Sequence, residues 1–453
     1  MDRDLIALTH VCHGWREMFI SRSSLWTRVY FQDIDKTDTY IKRSRACPLE
    51  FCFRWPEFID GMLDLMIPNI YRLKSLTIGT NALPEILEHF YCNMPFLKKL
   101  DLSIAASEEL GLDDALFGGD LLSLRELRLE RVTSRLPWKN LANLQVFYLQ
   151  SCSHRYGVTQ ILDFFESAPL LHTVSLEYPM PDTSDAPPER IVPLRYLKTF
   201  RIKTKPSPSI LLHRLHIPVG ASLYSEFHSS RDESPLLDYL PNGSPYFDNL
   251  SHITAINLFF GRGQSFARLS GPSGDLHVQA DRMLGPLYRY VYPEVHLGTR
   301  GDQILRSLSH PMFSRTQRLS ISGSQLPESA QVEEGPVIQM LSFMGSLRTL
   351  SLIRCDVRPF VFALDPEQNP SQPVLCSDME ELIIKPRGPP LDVEPLIDMA
   401  KNRASRGAIL PSVTFFHLRG REGDIVLELR GHVKDVRHLK YDETPAWNAG
   451  EAR

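Results

Sequence analysis

The stretch Leu97-Lys98-Lys99-Leu100-Asp101-Leu102 is one copy of a pattern, apolar-x-x-apolar-x-apolar, that recurs along the chain and decides its fold. In an extended strand, Leu100 and Leu102 point to one face while Asp101 points to the opposite face. Each copy therefore predicts a short strand with one buried side and one side facing solvent.

In the first half of the chain the pattern returns at nearly regular intervals. Its copies start 24, 27, 20, 27 and 26 residues apart, at Leu73, Leu97, Leu124, Leu144, Leu171 and Leu197. These spacings match the roughly 20 to 29 residues of leucine-rich repeats, in which one strand and one return segment form a coil. Segments 84–91 and 158–166 carry apolar residues at helical spacing and are followed by prolines, which predicts a strand, helix, proline, strand cycle.

The second half keeps the pattern but loses the interval. Further strands are predicted at 212–217, 253–258, 319–321, 347–352, 379–384 and 425–429. Segments rich in proline, glycine and serine predict surface loops at 179–188, 229–245 and 261–274. An amphipathic helix is predicted at 395–403, and the polar tail 443–453 is expected to fray.

The predicted fold class is therefore α/β, specifically a right-handed, irregular leucine-rich-repeat solenoid in which a curved parallel sheet carries helices on its outside. A two-domain α/β enzyme would also alternate strands with helices. Its doubly wound sheet would, however, have longer unbroken apolar strands than the six-residue pattern found here.

Composition and charge exclude several classes of protein. The net charge of -4 in 453 residues gives no overall reason to expect a nucleic acid or an anionic membrane as partner. No apolar run approaches the roughly 18 residues of a membrane span, and the start of the chain does not resemble a secretory signal. Seven thinly spread cysteines suggest free thiols, so a cytoplasmic or nuclear location is expected.

The N-terminal segment is a separate unit. Residues 5–18 place apolar side chains at helical spacing, which predicts one amphipathic helix, and Ser24-Leu25-Trp26 adds a second apolar cluster. On periodicity alone, this helix would cover the first open coil of the solenoid.

The same residues resemble the C-terminal half of an F-box. The matching positions are Leu8, Val11, Cys12, Trp15, Arg16, Ser24, Leu25 and Trp26. Residues 40–53 are similar to the link between F-box and first repeat in the F-box and leucine-rich-repeat proteins of mushroom-forming fungi. The usual F-box begins with Leu-Pro and a helix bearing Glu-Ile-Leu and Ile-Phe, but Met1 falls where that helix should already have ended, so the predicted F-box is partial.

The resemblance implies a function and a set of partners. An F-box docks on the Skp-type adaptor of a cullin-RING ubiquitin ligase, and the implied adaptor-binding residues are Leu5, Leu8, Val11, Cys12, Trp15, Leu25 and Trp26. The repeats would hold an unknown protein substrate. We expect a non-catalytic substrate-recognition subunit, with a stand-alone repeat scaffold that has lost adaptor binding as the alternative.

The predicted organisation assigns each segment a role. A partial F-box occupies 1–35, a linker and first-coil cap 36–70, the solenoid 71–442 and a flexible tail 443–453. The solvent-facing strand positions are the candidate contacts for a protein partner. They are Lys74, Thr77, Lys99, Asp101, Arg125, Arg128, Arg348 and Ser351.

No catalytic, metal or cofactor site is predicted. The pairs His10 with His13, Cys47 with Cys52 and His213 with His216 lack the second pair that a structural zinc site needs. Ser265 follows an apolar run and faintly resembles a nucleophile elbow, but the second glycine and an assignable triad are missing.

Overall fold

The computed structural model describes most of the chain, and its contacts divide the chain into two compact units. One unit is Met1–Thr204 with His213–Ile217, and the other is Lys205–Leu212 with Pro218–Arg453. The described residues are 2–31, 33–53, 61–79, 86–104, 110–112, 116–119, 121–134, 141–151, 156–177, 190–204, 209–218, 220–228, 253–260, 264–271, 274–281, 305–306, 308–309, 313–323, 334–368, 370, 373–385, 393–416 and 422–439.

Two short helices open the first unit, α1 (Asp2–Thr9) and α2 (His13–Ser21). The prediction of one helix across 5–18 is therefore wrong. The Arg16 guanidinium donates a hydrogen bond of 2.9 Å to the carbonyl of Thr9, an oxygen that a continuous helix would have bonded to the backbone N–H of His13. This side-chain contact stabilises the break between the two helices.

The rest of the first unit alternates strands with short helical segments. Its strands are β1 (Arg28–Tyr30), β2 (Leu49–Phe53), β3 (Leu73–Gly79), β4 (Lys99–Ser103), β5 (Leu110–Leu112), β6 (Glu126–Glu130), β7 (Val132–Ser134), β8 (Val146–Gln150), β9 (Thr173–Glu177), β10 (Val192–Pro193), β11 (Thr199–Thr204) and β12 (Leu215–His216). Its other helices are α3 (Ile34–Ser44), α4 (Met62–Met66) and α5 (Val158–Ser167), with 3₁₀ segments at Ser23–Trp26, Ile67–Arg72 and Leu116–Gly119.

The main sheet of this unit is parallel and follows chain order. Strands β1, β2, β3, β4, β6, β8, β9 and β11 pair successively, while β5 pairs with β7 and β10 with β12 in two small parallel ladders. The central apolar residue of every pattern copy lies opposite the next, in the order Leu76, Leu100, Leu127, Phe147, Val174 and Phe200. All of these side chains are buried, so the strands predicted at these six copies are confirmed. Of the strand predicted at 212–217, only Leu215–His216 is a strand, and Leu212 is helical.

Several strands are preceded by a buried turn that the six-residue pattern does not include. In the first such turn, the N–H of Leu97 donates to the carbonyl of Met94 at 3.1 Å. The buried residue that accepts the equivalent bond is Leu121, Leu141, Ala168, Leu194, Phe313, Met344 or Cys376. The recurring pattern therefore begins three residues earlier than its first leucine, at this buried turn residue.

Helix α5 packs its apolar side against the buried face of the sheet. The rings of Phe147 and Phe164 lie 4.2 Å apart, and Phe165 contacts Phe200 at 6.3 Å between centroids. The helix predicted at 158–166 is confirmed, and it supplies the second layer of the core in this part of the unit.

The second unit has the same alternation with one interruption. Its strands are β13 (Ser222–His228), β14 (Ala255–Phe260), β15 (Gln264–Gly271), β16 (Gly274–Asp281), β17 (Arg318–Gly323), β18 (Thr349–Ile353), β19 (Glu381–Lys385), β20 (Leu410–Phe416) and β21 (Val433–Leu439). Its helices are α6 (Ser209–Leu212), α7 (Glu334–Phe343), α8 (Arg358–Leu364), α9 (Glu394–Ser405) and α10 (Glu422–Leu429). Strands β14 and β17 to β21 pair in parallel, in chain order.

The interruption is an antiparallel hairpin, β15 and β16, inserted into the sheet between β13 and β14. The surface loop predicted at 261–274 is therefore wrong over 264–271 and at Gly274. Ala267 and Leu269 are buried with the exposed Arg268 between them, which is the alternation of a strand. Gly271 and Gly274 pair with each other where β15 ends and β16 begins.

The strand predicted at 425–429 is also wrong, because these residues belong to α10. Alternation would have buried Leu427 together with Leu429, but Leu429 is buried while Leu427 is exposed. Helix α9 confirms the helix predicted at 395–403. The predicted loops at 179–188 and 229–245 and the predicted tail at 443–453 lie outside the described residues.

The residue after several strands adopts a left-handed backbone conformation. Arg131, Ser151 and Arg354 have φ values of 56°, 53° and 53° although none is glycine. The N–H of Ser151 still donates to the carbonyl of Glu177 at 3.0 Å, so the ladder continues for one residue while the chain turns away from the sheet. These hydrogen bonds offset the cost of the conformation.

Candidate functional site

The N-terminal helices present an exposed apolar group, formed by Val11, Trp15, Met18 and Leu25. The first three are 60 %, 45 % and 42 % exposed, and no residue of α2 is buried. Among the other predicted adaptor contacts, Leu5 and Leu8 are half-buried and Cys12 is exposed. Several large apolar side chains left in solvent on one short segment are typical of a binding surface.

Trp26, by contrast, lies inside the fold. It is fully buried, and its indole N–H donates to the carbonyl of Phe19 at 2.9 Å. The ring meets Tyr40 edge-on at 5.0 Å, and the guanidinium of Arg43 lies 4.4 Å from the ring centroid. Trp26 therefore ties α2 to α3 and fixes the position of the exposed apolar group.

A second candidate surface is the solvent-facing side of the strands in the first unit. Thr77, Asp101 and Arg128 lie opposite one another on β3, β4 and β6, as predicted from the pattern. Lys74 forms an ion pair of 3.0 Å with Glu50 across neighbouring strands. Six of the predicted partner contacts therefore lie on, or directly before, consecutive strands of one sheet. They are Lys74, Thr77, Lys99, Asp101, Arg125 and Arg128.

The charged side chains at the centre of this surface form ion pairs with one another. Glu126 accepts from Lys99 at 2.9 Å and from Arg128 at 2.6 Å. Partial burial opposes ionisation of Glu126, but the hydrogen bonds from both cations outweigh burial, and the pKa of the carboxyl lies below its ordinary value. Arg128 also lies 4.2 Å from the centroid of the Tyr148 ring, so these side chains are held in one arrangement.

The remaining two predicted partner contacts belong to the second unit. Arg348 pairs with Glu380 at 3.1 Å, with both side chains more than half exposed. Ser351 is only 4 % exposed, because neighbouring side chains cover it on the strand. Exposure of alternate strand positions is therefore a poorer guide for small side chains than for long ones.

The histidines, cysteines and serine that were candidates for metal binding or catalysis do not form such a site in the described part of the chain. No cluster of three or more His, Cys, Asp or Glu side chains that could hold a metal ion occurs among these residues. Cys12, Cys47, Cys52, Cys92, Cys355 and Cys376 are free thiols. Ser265 lies within β15, paired with β14 and β16, whereas a nucleophile elbow needs a turn from strand to helix.

The described helices are short, and none of them is long and apolar enough to cross a membrane. No protein-family model matches the sequence, and no curated protein matches it either. The function is therefore inferred from the two surfaces above.

Proposed function

We propose that this protein is a non-catalytic recognition subunit of an SCF-type (Skp, cullin, F-box) ubiquitin ligase. Its N-terminal helices would bind a Skp-type adaptor, and its strand faces would bind a protein substrate. The observation that carries the proposal is the exposed apolar group on and beside α2, a helix without a single buried residue. An adaptor covering this group would remove its apolar surface from water.

In this proposal Trp26 has a positioning role. Its ring is enclosed by Tyr40 and Arg43, so it is not free to contact an adaptor directly. Val11, Trp15 and Met18 would make the contact, and Trp26 would hold them at a fixed place relative to β1.

We also infer that the parallel sheet is that of an irregular leucine-rich-repeat solenoid. Three recurring features support this inference. Successive strands pair in register through their buried apolar residues, a buried turn residue precedes several of them, and α5 packs on the buried face. Each repeat alone could not bury its apolar face, so stacking provides a common core.

The test is retention of a purified Skp-type adaptor by the full chain immobilised on resin. We expect the unaltered protein to retain the adaptor and the double variant Trp15→Asp/Met18→Asp to lose it, since charges would then have to be desolvated. The control is Ile67→Asp, at a side chain that is also 42 % exposed but lies outside the N-terminal helices. Absence of retention by the folded, unaltered chain would refute the ligase role.

A stand-alone repeat scaffold is the second candidate, and the packing of Trp26 favours it. Burial of this ring against α3 is sufficient to explain the N-terminal helices as a cover for β1, since terminal repeats need such a cap. This candidate predicts that the double variant and the unaltered chain both fail to retain the adaptor.

A further inference from the structure

One column of residues at the start of the strands in the first unit is built by backbone hydrogen bonds. The N–H of Lys98 donates to the carbonyl of Lys74, and the N–H of Arg125 donates to that of Lys98, each at 2.8 Å. The chain of bonds then continues from strand to strand with lengths of 2.7 and 2.8 Å. The members of this basic column are Lys74, Lys98, Arg125, Gln145, His172 and Lys198.

Lys74 pairs with Glu50, but the other cations of the basic column carry positive charge that the described residues around them do not neutralise. Lys98, Arg125 and Lys198 are exposed, and none of them forms an ion pair with the residues that the structure describes. On the adjoining strand face the opposite holds, because Glu126 pairs with both Lys99 and Arg128. Glu126 thus neutralises cations in the middle of the strands, whereas Lys98, Arg125 and Lys198 at the edge keep their charge.

Exposed apolar side chains lie beside the column, in the turns that precede the strands. Phe96, Leu122 and Tyr196 are each about half exposed, which is unusual for side chains of this size. The turns are tied to one another, since Ser123 donates to the carbonyl of Pro95 at 2.6 Å and Asn143 donates to that of Leu122 at 2.8 Å. The edge is therefore a preorganised surface on which cations and apolar groups alternate.

We propose that the basic column binds an acidic, extended segment of a protein partner. Neighbouring strands are about 4.8 Å apart, so Lys98 and Lys198, separated by four strand spacings, lie roughly 19 Å from each other. Alternate side chains of an extended peptide recur about every 6.7 Å on one side. About three or four carboxylates or phosphate groups at alternate positions therefore match the column, with the apolar side chains beside it contacting the residues between them.

The charges next to the column favour a peptide over a nucleic acid. Asp101 and Glu130 lie on β4 and β6, the strands that begin directly after Lys98 and Arg125. A continuous polyanion would be repelled by these carboxylates, whereas a peptide places its negative charges only at intervals.

This inference deepens the proposed function by naming the class of partner, and it rests on the proposed function only in taking that partner to be a protein. The experiment contains no adaptor, so its failure would leave the ligase proposal standing, and failure of adaptor retention would leave this inference standing.

The probe is a fluorescein-labelled peptide of about twelve residues in which glutamate alternates with serine, titrated with the full chain at low salt and followed by fluorescence anisotropy. We expect binding by the unaltered protein and a loss of affinity of about tenfold or more in Lys98→Glu/Arg125→Glu/Lys198→Glu. The control is Arg318→Glu/Lys401→Glu/Lys434→Glu, which changes the net charge equally at exposed positions of the second unit and is expected to bind as the unaltered protein does.

Three results would overturn the inference. The peptide does not bind the folded chain, the two triple variants lose affinity equally, or a labelled oligothymidylate of similar length binds more tightly than the peptide and is lost in the first variant only. Circular dichroism of every variant confirms that the fold is retained before affinities are compared.

Discussion

Arg403 offers the sharpest test of what holds the second unit together. This side chain of α9 is fully buried, and its guanidinium donates to the carbonyls of Leu375 at 2.8 Å and Cys376 at 2.9 Å. A longer contact of 3.4 Å reaches the carbonyl of Leu364 at the end of α8. Burial lowers the pKa of the guanidinium, which shows that desolvation acts against the charge.

We expect Arg403→Met to lower the free energy of unfolding by about 3 kcal/mol. Two short hydrogen bonds from a charged donor contribute roughly 1.5 to 3 kcal/mol each. Their removal takes this donor from the part-buried carbonyl of Leu375 and leaves the carbonyl of Cys376 with the N–H of Met379 alone. The gain from no longer burying a charge offsets part of this loss. Methionine fills most of the space of the arginine stem, so a large cavity is not added.

The measurement is urea denaturation followed by far-UV circular dichroism, supported by hydrogen exchange of the backbone at 373–385. The matched control is Lys401→Met, which changes an exposed cation of the same helix and should cost less than about 0.5 kcal/mol. An Arg403→Met protein within about 1 kcal/mol of the unaltered protein, with an unchanged denaturant slope, would refute the reasoning.

Three further predictions test the sheet, the turn and a buried thiol. Leu127→Ala should destabilise the protein by about 2 to 5 kcal/mol in the same titration, because a buried side chain on a central strand is removed, whereas Leu122→Ala at an exposed position should not. Ser151→Gly should be neutral or slightly stabilising and Ser151→Val destabilising by about 1 to 2 kcal/mol, since φ is 53° there, and equal melting temperatures for the two variants would contradict this. Burial raises the pKa of the Cys376 thiol from 9.0 to about 12. The contribution of this thiol to the free energy of unfolding is therefore complete below the pKa of a cysteine in the unfolded chain. It is lost as pH rises towards 12, by about 1.4 kcal/mol per pH unit. Cys376→Ala should lack this part of the alkaline slope when unfolding is measured from pH 8 to 11.

The strands were predictable because their pattern is local. Burial of alternate residues such as Leu100 and Leu102 needs only two neighbouring positions, and the interval between copies fixes the parallel order. The buried turn residue was harder to predict from the sequence, because residues such as Met94 and Ala168 share little except burial. The break between α1 and α2 after Thr9 depends on the side chain of Arg16, seven positions away, and the spacing of apolar residues carries no information about this contact.

The candidate surfaces were predictable in part. The residues of the strand face follow directly from the pattern, but pairing of Lys99 and Arg128 with one carboxylate requires the register of two strands. Trp26 looked like an equal member of the N-terminal apolar cluster, and only its neighbours Tyr40 and Arg43 place it in the interior. The basic column could have been found as the residue after each first leucine, but its charge matters only because backbone bonds align it.

The inserted hairpin has a consequence for how the second unit is assembled during synthesis. From β17 to β21 each new strand finds its neighbour already made, so the sheet can grow as the chain leaves the ribosome. Strand β13 instead pairs with β16, through contacts such as Leu223 with Leu276, and must wait until the hairpin has emerged. We therefore expect this edge of β13 to gain protection from proteases in nascent chains only after β16 has emerged, and a chain stalled before that point to leave the edge unpaired.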